Sequence, residues 1–145
     1  IVGHNSIGFD YPALRKMYGF SHHTVWDTAI MARCIYPDIR NKDLLRSEFD
    51  KSLIGSHSLK AWGHRIGALK DSHGETEDCK QDCVVTSAIY EHLISKNPDA
   101  RMLKLEHRFA TIIRQQESNG FPFDLEAAEK LTSGLMVRRA EIGEG

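Results

Sequence analysis

No run of this chain is apolar over the roughly 20 residues that a bilayer-crossing helix needs, so no membrane-spanning segment and no membrane partner are expected. No segment reads as a secretory leader. Cysteine is scarce and odd in number: Cys34, Cys79 and Cys83, without secretory context, are expected to be reduced thiols in a cytoplasmic compartment. An excess of either charge is also missing. Nineteen Lys and Arg stand against twenty Asp and Glu, for a net charge of −1. No global basic field announces a nucleic acid, so such a partner would have to be met by a local patch or through metal ions. Internal repeats and low-complexity stretches are absent. Strand signals are weak and few.

What is present is an ordinary globular composition, 41% hydrophobic and 27% charged, over 145 residues. That length suits one domain with a core, or parts of two. Ile1-Val2 reads like the last residues of a strand, and Glu144-Gly145 stops within or just after a helical run. An interior fragment of a longer protein is therefore expected.

Along the chain, Asp10 precedes a helix that carries Leu14 and Met17, tolerates Pro12 in its first turn and stops at Gly19. Val25-Trp26 predicts a short strand, after which Asp27 caps a helix through Ile30, Met31 and Ile35, closed by Pro37. Residues 38–54 show no clean period and predict a loop with one short helix. In "GSHSLKAWGHRIG", Ser58 is an N-cap, Leu59, Trp62 and Ile66 form an apolar stripe, and Gly67 is a stop. A polar loop over 68–76 leads to a long helix from about Glu77 to Ser95, ended by Asn97-Pro98. Met102, Leu105, Phe109, Ile112 and Ile113 then recur at helical spacing and predict a core-facing helix. Phe121-Pro122-Phe123 is extended, and Asp124 caps a last helix through Leu131 and Leu135.

Two acids stand out. At 100° per residue, Cys79, Asp82, Thr86, Ile89 and Leu93 share a face, which places Asp82 near the centre of a mostly apolar stripe. A buried carboxylate must be paired, hydrogen-bonded or metal-bound. Asp78, one turn earlier, repels it unless a cation or a proton intervenes. Asp10 has two readings, a helix cap and an acid presented for chemistry, and one residue can serve both.

Three segments taken together resemble a known family. "HNSIGFD" resembles the second motif of the DEDD exonucleases, "CKQDCVVT" the third, and "NGFPFD" after "LEHRFATIIRQQES" the junction into the polymerase domain of a family A DNA polymerase of T-seven-type podophages. "WDTAIMARCIYPD" and "GSHSLKAWGHRIG" are similar to the segments between those motifs. Each motif is weakly specific alone; their order and spacing carry the resemblance. It implies an α/β fold: a partial RNase H-like exonuclease domain lacking its N-terminal strands over 1–98, and the first helices of a polymerase domain over 99–145. It implies proofreading 3′→5′ hydrolysis by two divalent metals, Mg²⁺ or Mn²⁺, on primer-template DNA and its single-stranded 3′ end. A processivity factor would bind outside this segment, and a phage-encoded protein would work in the host cytoplasm.

Carried over by motif, Asp10 and Asp82 are the expected metal ligands and catalytic acids. Asn5, Phe9, His57 and Leu59 are the expected DNA-binding residues, with Asp27 and Ser56 supporting the site. Two metals roughly 3.5–4 Å apart activate a water and stabilise the leaving oxygen. Carboxylates are the natural ligands of hard Mg²⁺.

The resemblance is incomplete. The family's first motif, an Asp-x-Glu pair, is absent from this chain. The third motif's Tyr, four residues before its Asp, is replaced by Asp78, which either acts as a catalytic residue by binding the water or an extra metal, or cripples catalysis. Two alternatives follow: a stand-alone DEDD exoribonuclease of the RNase D type, against which "NGFPFD" speaks, and a catalytically dead exonuclease fold that only binds nucleic acid. Among other residues, His4 is expected to pack or hydrogen-bond locally, and His22-His23 to form a solvated turn. Trp62 is expected in the core. Lys60, Arg65 and Lys70 are read first as a solvated helix face and second as a basic edge. Cys79 and Cys83 lack the second pair that a zinc site needs.

Overall fold

The shortest elements hold the most sequence-distant pieces together. The structure, a computed structural model, describes residues 1–21, 24–68 and 75–143, with 75–77 described in backbone only. Val2–Gly3 (β1) pairs in parallel with Trp26–Asp27 (β2), in the register Val2 to Trp26 and Gly3 to Asp27. Among the described residues these are the two strands of one small sheet. Between them lies helix α1, Asp10–Tyr18, closed by Gly19 in the left-handed region (φ 62°), where glycine carries no Cβ penalty.

Helix α2, Thr28–Ile35, follows β2 directly. The Asp27 carboxylate caps it by accepting from the Ala29 N–H, and Pro37 lies just past its end, as the sequence predicts. The polar stretch after it folds into helix α3, Ile39–Leu44, and a single 3-10 turn at Lys51–Leu53. Ser58 caps helix α4, Leu59–Ile66, through the Ala61 N–H, and Gly67 ends it at φ 73°. Helix α5, Glu75–Ile94, starts two residues earlier than the pattern predicts. Helix α6, Ala100–Asn119, begins after Asn97-Pro98, with the Asp99 carboxylate accepting from the Arg101 N–H. Helix α7, Leu125–Gly143, is capped by Asp124 through the Ala127 N–H.

The chain divides into two units, residues 1–115 and 116–145. The core of the first is built from Met31, Ala32, Ile39, Trp62, Val85, Ile89, Leu93 and Leu103. Val85, Ile89 and Leu93 recur at four-residue intervals, so α5 buries one straight stripe and packs against α2, α4 and β1. Trp62 is the largest fully buried side chain. In the second unit α7 buries none of its residues, and Phe121, Leu131, Leu135 and Ile142 face solvent.

Four expectations are corrected. Asp10 makes no capping hydrogen bond; Phe9 occupies the cap position and Asp10 is the first helical residue. There its charge complements the partial positive charge of the helix N-terminus without a bond. Cys79 is exposed, because the buried stripe of α5 follows Val85, Ile89 and Leu93 and turns that residue outward. Leu105, Phe109, Ile112 and Ile113 are solvent-exposed rather than core. The inward face of α6 is that of Leu103 and His107, with Met102 partly buried. Arg65 lies on neither a solvated helix face nor a basic edge, since its side chain is 2% exposed and ion-paired to Asp43. Lys70 and His22-His23 lie outside the described residues.

Candidate active site

The "HNSIGFD" segment forms a corner between β1 and α1, and its shape is set from β2. Both oxygens of the Asp27 carboxylate are used. Oδ1 accepts from the N–H of Asn5 at 2.9 Å and of Ala29 at 2.9 Å, and Oδ2 accepts from the N–H of Ile7 at 3.1 Å. A carboxylate 1% exposed is tolerable because three N–H groups compensate its lost hydration. Asn5 sits at φ 58°, a left-handed conformation that asparagine tolerates better than most residues. Gly3 is close-packed: a Cβ there would lie 2.5 Å from the Cβ of Ser6.

The corner turns three of the expected site residues toward solvent. Asn5 and Asp10 are exposed, and Phe9 is 71% exposed. Tyr11 donates its N–H to the Ser6 carbonyl at 2.8 Å, locking the first turn of α1 to the corner.

His4 ties the corner to the "GSHS" loop. Its Nε2 lies 3.0 Å from the His57 carbonyl and its Nδ1 lies 2.9 Å from the Thr28 hydroxyl. A carbonyl only accepts, so Nε2 carries a proton. Burial pushes His4 below the ordinary histidine value and Arg33 adds to it, against opposing pulls from Asp27 and the His57 carbonyl. The neutral ring therefore accepts at Nδ1 from the Thr28 hydroxyl. The sequence reading of His4 as a local hydrogen-bonding residue agrees with this.

His57 is half-buried, with its ring 6.0 Å from that of Trp62. Burial lowers its pKa first, followed by the positive charges of Arg65 and Arg33. The Arg65 guanidinium lies 5.0 Å above the Trp62 ring. Three buried polar atoms of this group, His57 Nδ1, Trp62 Nε1 and Arg65 Nη1, have no partner among the described residues. Ser56 bonds Ser58 in the same loop, and Leu59 packs half-buried against the core.

Asp82 and Asp78 are both half-buried on α5, and both interact with the surrounding chain. Their helix packs against β1, the strand that leads into the corner. Among the described residues, no cluster of three or more His, Cys, Asp or Glu side chains is suited to hold a metal ion. The donor chemistry of Asp10 and Asp82, hard oxygens only, fits Mg²⁺ or Mn²⁺. Two carboxylates do not complete a coordination shell.

Two residues with structural control over this region escaped the sequence reading. Asp43, in a stretch without periodicity, is 1% exposed and receives two Arg65 nitrogens. His107, on α6, accepts a hydrogen bond from the Asp27 N–H. No local pattern marks either, because both partners are supplied from distant sequence.

Against known proteins, the chain is 30% identical over 98% of its length to the DNA-directed DNA polymerase of Escherichia phage T7. The match to the DNA-directed DNA polymerase of Enterobacteria phage T3 has the same identity and coverage. The chain is similar to one part of these phage DNA-directed DNA polymerases. It spans 28% of the length of these relatives. The aligned region runs to 198 positions against 145 residues here, so the T7 relative carries internal stretches without a counterpart in this chain. No protein-family model matches the chain. Among the described residues, no helix is long and apolar enough to cross a membrane.

Proposed function

We propose that this chain forms part of a 3′→5′ proofreading exonuclease site within a DNA-directed DNA polymerase, and that residues from 99 onward open the polymerase domain. The observation that carries the reading is the Asp27-held corner. A buried acid satisfies the backbone of "HNSIGFD" so that Asn5, Phe9 and Asp10 stand exposed together at the head of α1. An exposed Phe beside an exposed Asp suits an unpaired DNA end, whose base stacks on aromatic rings.

In this reading Asp10 and Asp82 would hold divalent metal, together with ligands not supplied by the described residues. When bound, such metal supplies an activated water and charge neutralisation at the leaving oxygen. The chain's own residues do the rest. Asn5 and Phe9 position the terminal nucleotide. His57, whose Nδ1 has no partner among the described residues, and the exposed Arg33, close enough to depress the His57 pKa, supply a donor and positive charge for phosphate in a chain of net charge −1. Leu59 offers an apolar contact beside them.

The second reading, a binding fold without catalysis, draws on Asp78. The family's tyrosine is a neutral hydrogen-bonding group, and an acid in its place adds like charge one turn from Asp82. The experiment that decides is excision of a mispaired 3′ end by a polymerase carrying this segment, with and without Asp10→Ala and Asp82→Ala. Metal-dependent excision lost in both variants supports the exonuclease. Retained primer binding with no excision in any form supports the binding fold.

A further inference from the structure

His107 sits on α6, in the segment expected to open the polymerase domain, yet it belongs to the first unit and is 7% exposed. Its two ring nitrogens face different elements. Nε2 lies 2.8 Å from the backbone nitrogen of Asp27, and Nδ1 lies 2.7 Å from the Leu103 carbonyl. The Asp27 N–H can only donate and the Leu103 carbonyl can only accept. The ring is therefore neutral, with its proton on Nδ1.

The placement answers a problem of sheet geometry. Trp26 gives its N–H to Ile1 across the parallel pair, so the N–H of Asp27 points to the opposite edge of β2. No third strand among the described residues lies there. An unpaired N–H on a buried edge is costly. His107 supplies the missing acceptor, and Trp26 packs edge-on against its ring at 5.1 Å.

From this geometry we infer that His107 is a positioning residue for the corner that presents Asn5, Phe9 and Asp10. It fixes the backbone of Asp27, and the Asp27 carboxylate fixes Asn5 and Ile7. The linkage spans 80 residues of sequence to Asp27 and a further 22 to Asn5. Its importance for excision rests on the exonuclease reading above; the linkage itself does not.

Three measurements on the 145-residue chain test it. Long-range ¹H–¹⁵N spectra of the wild type will show His107 with a protonated Nδ1 and a bare Nε2; the opposite tautomer, or an imidazolium at neutral pH, overturns the linkage. In His107→Leu, amide exchange at Asn5 and Ile7 rises about tenfold while exchange at Ala127, capped by Asp124 on α7, is unchanged. His107→Gln, whose side-chain oxygen can accept from Asp27, restores slow exchange. Equal behaviour of Leu and Gln variants, or no change at Asn5 and Ile7, overturns it. Should His107→Leu not fold, the tautomer and the Gln variant still decide. Excision of a mispaired 3′ end by a polymerase carrying this segment, compared with its Asp82→Ala variant, tests the exonuclease reading separately. Equal excision by the two removes that reading and leaves the measurements on His107 standing.

Discussion

Arg65 holds Asp43 with two nitrogens, Nε to Oδ1 at 3.0 Å and Nη2 to Oδ2 at 2.7 Å, and both side chains are sealed from solvent. Burial opposes the charge on Asp43, but the Arg65 bonds and the Gly55 N–H outweigh it and hold the carboxyl below its ordinary value. The pair anchors α3 to α4 and, through Gly55, the start of the "GSHS" loop. Removing one partner leaves a buried charge unmatched. Arg65→Ala is expected to destabilise the chain by about 3–5 kcal/mol, and Arg65→Lys by a smaller amount, since lysine keeps charge but loses the fork. Urea unfolding checks both. A loss in Arg65→Ala no larger than that of an exposed arginine such as Arg101 would show that the pair contributes nothing.

Asp27 is a helix cap with two further duties, and its removal should cost accordingly. Asp124 is the comparison: an exposed cap that holds one N–H of α7. Asp124→Ala is expected to cost about 1 kcal/mol. Asp27→Ala leaves the N–H groups of Asn5 and Ile7 without their acceptor as well, at about 1–3 kcal/mol for each buried group. Thermal or urea unfolding that ranks the two variants equally would contradict the geometry of the corner.

Three histidines make stability depend on mild acid. Burial lowers the pKa of His4, His57 and His92 in the folded chain. In the unfolded chain they return to their ordinary value of about 6.5. The unfolded state then binds more protons, and stability falls as pH drops through 6.5 and on toward the lower folded values. Above that window the three rings are neutral in both states and contribute no slope. His4 has a local signature: once protonated, its Nδ1 donates to the Thr28 hydroxyl, which turns to the Gly3 carbonyl 3.2 Å away. Urea midpoints measured from pH 7.5 to 5 will decline, and His4→Gln will flatten part of the slope. A midpoint that rises on acidification would contradict all three assignments.

The exonuclease reading makes its own prediction about Asp78. The purified 145-residue chain is expected to show no appreciable 3′ degradation with Mg²⁺ or Mn²⁺, because it supplies only two of the family's four carboxylates. In a polymerase carrying the segment, Asp78→Tyr is expected to raise the rate of excision by restoring a neutral group beside Asp82. No gain would mean that Asp78 already performs the tyrosine's part.

Local chemistry was legible in the sequence and long-range chemistry was not. Asp27, Ser58 and Asp124 as caps, and Gly19 and Gly67 as stops, follow from backbone rules that act within four residues. Trp62 in the core follows from the stripe of α4. The inward face of α6 did not follow: Leu103 and His107 point in because β2 offers an N–H to one of them, while the more apolar Leu105, Phe109 and Ile112 face solvent. Asp43 was invisible for the same reason. Its partner lies 22 residues away, and a buried ion pair has no period. Asp27 was legible as a cap and as a supporting residue, but its bonds to the Asn5 and Ile7 N–H groups, 22 and 20 residues away, were not.

Glycine substitutions separate packing from helix propensity, because two helical glycines in this chain meet opposite surroundings. Gly63 is buried within α4, and a Cβ there would lie 2.7 Å from the carbonyl oxygen of Ala68 and 3.6 Å from Val85. The Ala68 N–H is itself bonded to the Gly63 carbonyl at 2.9 Å, so that backbone cannot retreat without breaking the turn that ends the helix. Gly134 lies within α7 with open space around its position. Alanine is favoured over glycine by about 0.8–1 kcal/mol in a helix interior, and both sites would gain that from propensity alone. At Gly134 nothing opposes the gain, so Gly134→Ala should raise the helicity of α7 and its stability by about that amount. At Gly63 the clash with fixed backbone costs about 1–3 kcal/mol and reverses the sign. Circular dichroism and urea unfolding of the two single variants distinguish the cases. If Gly63→Ala were also stabilising, α4 and the Gly67 turn could not be packed as closely as the structure shows.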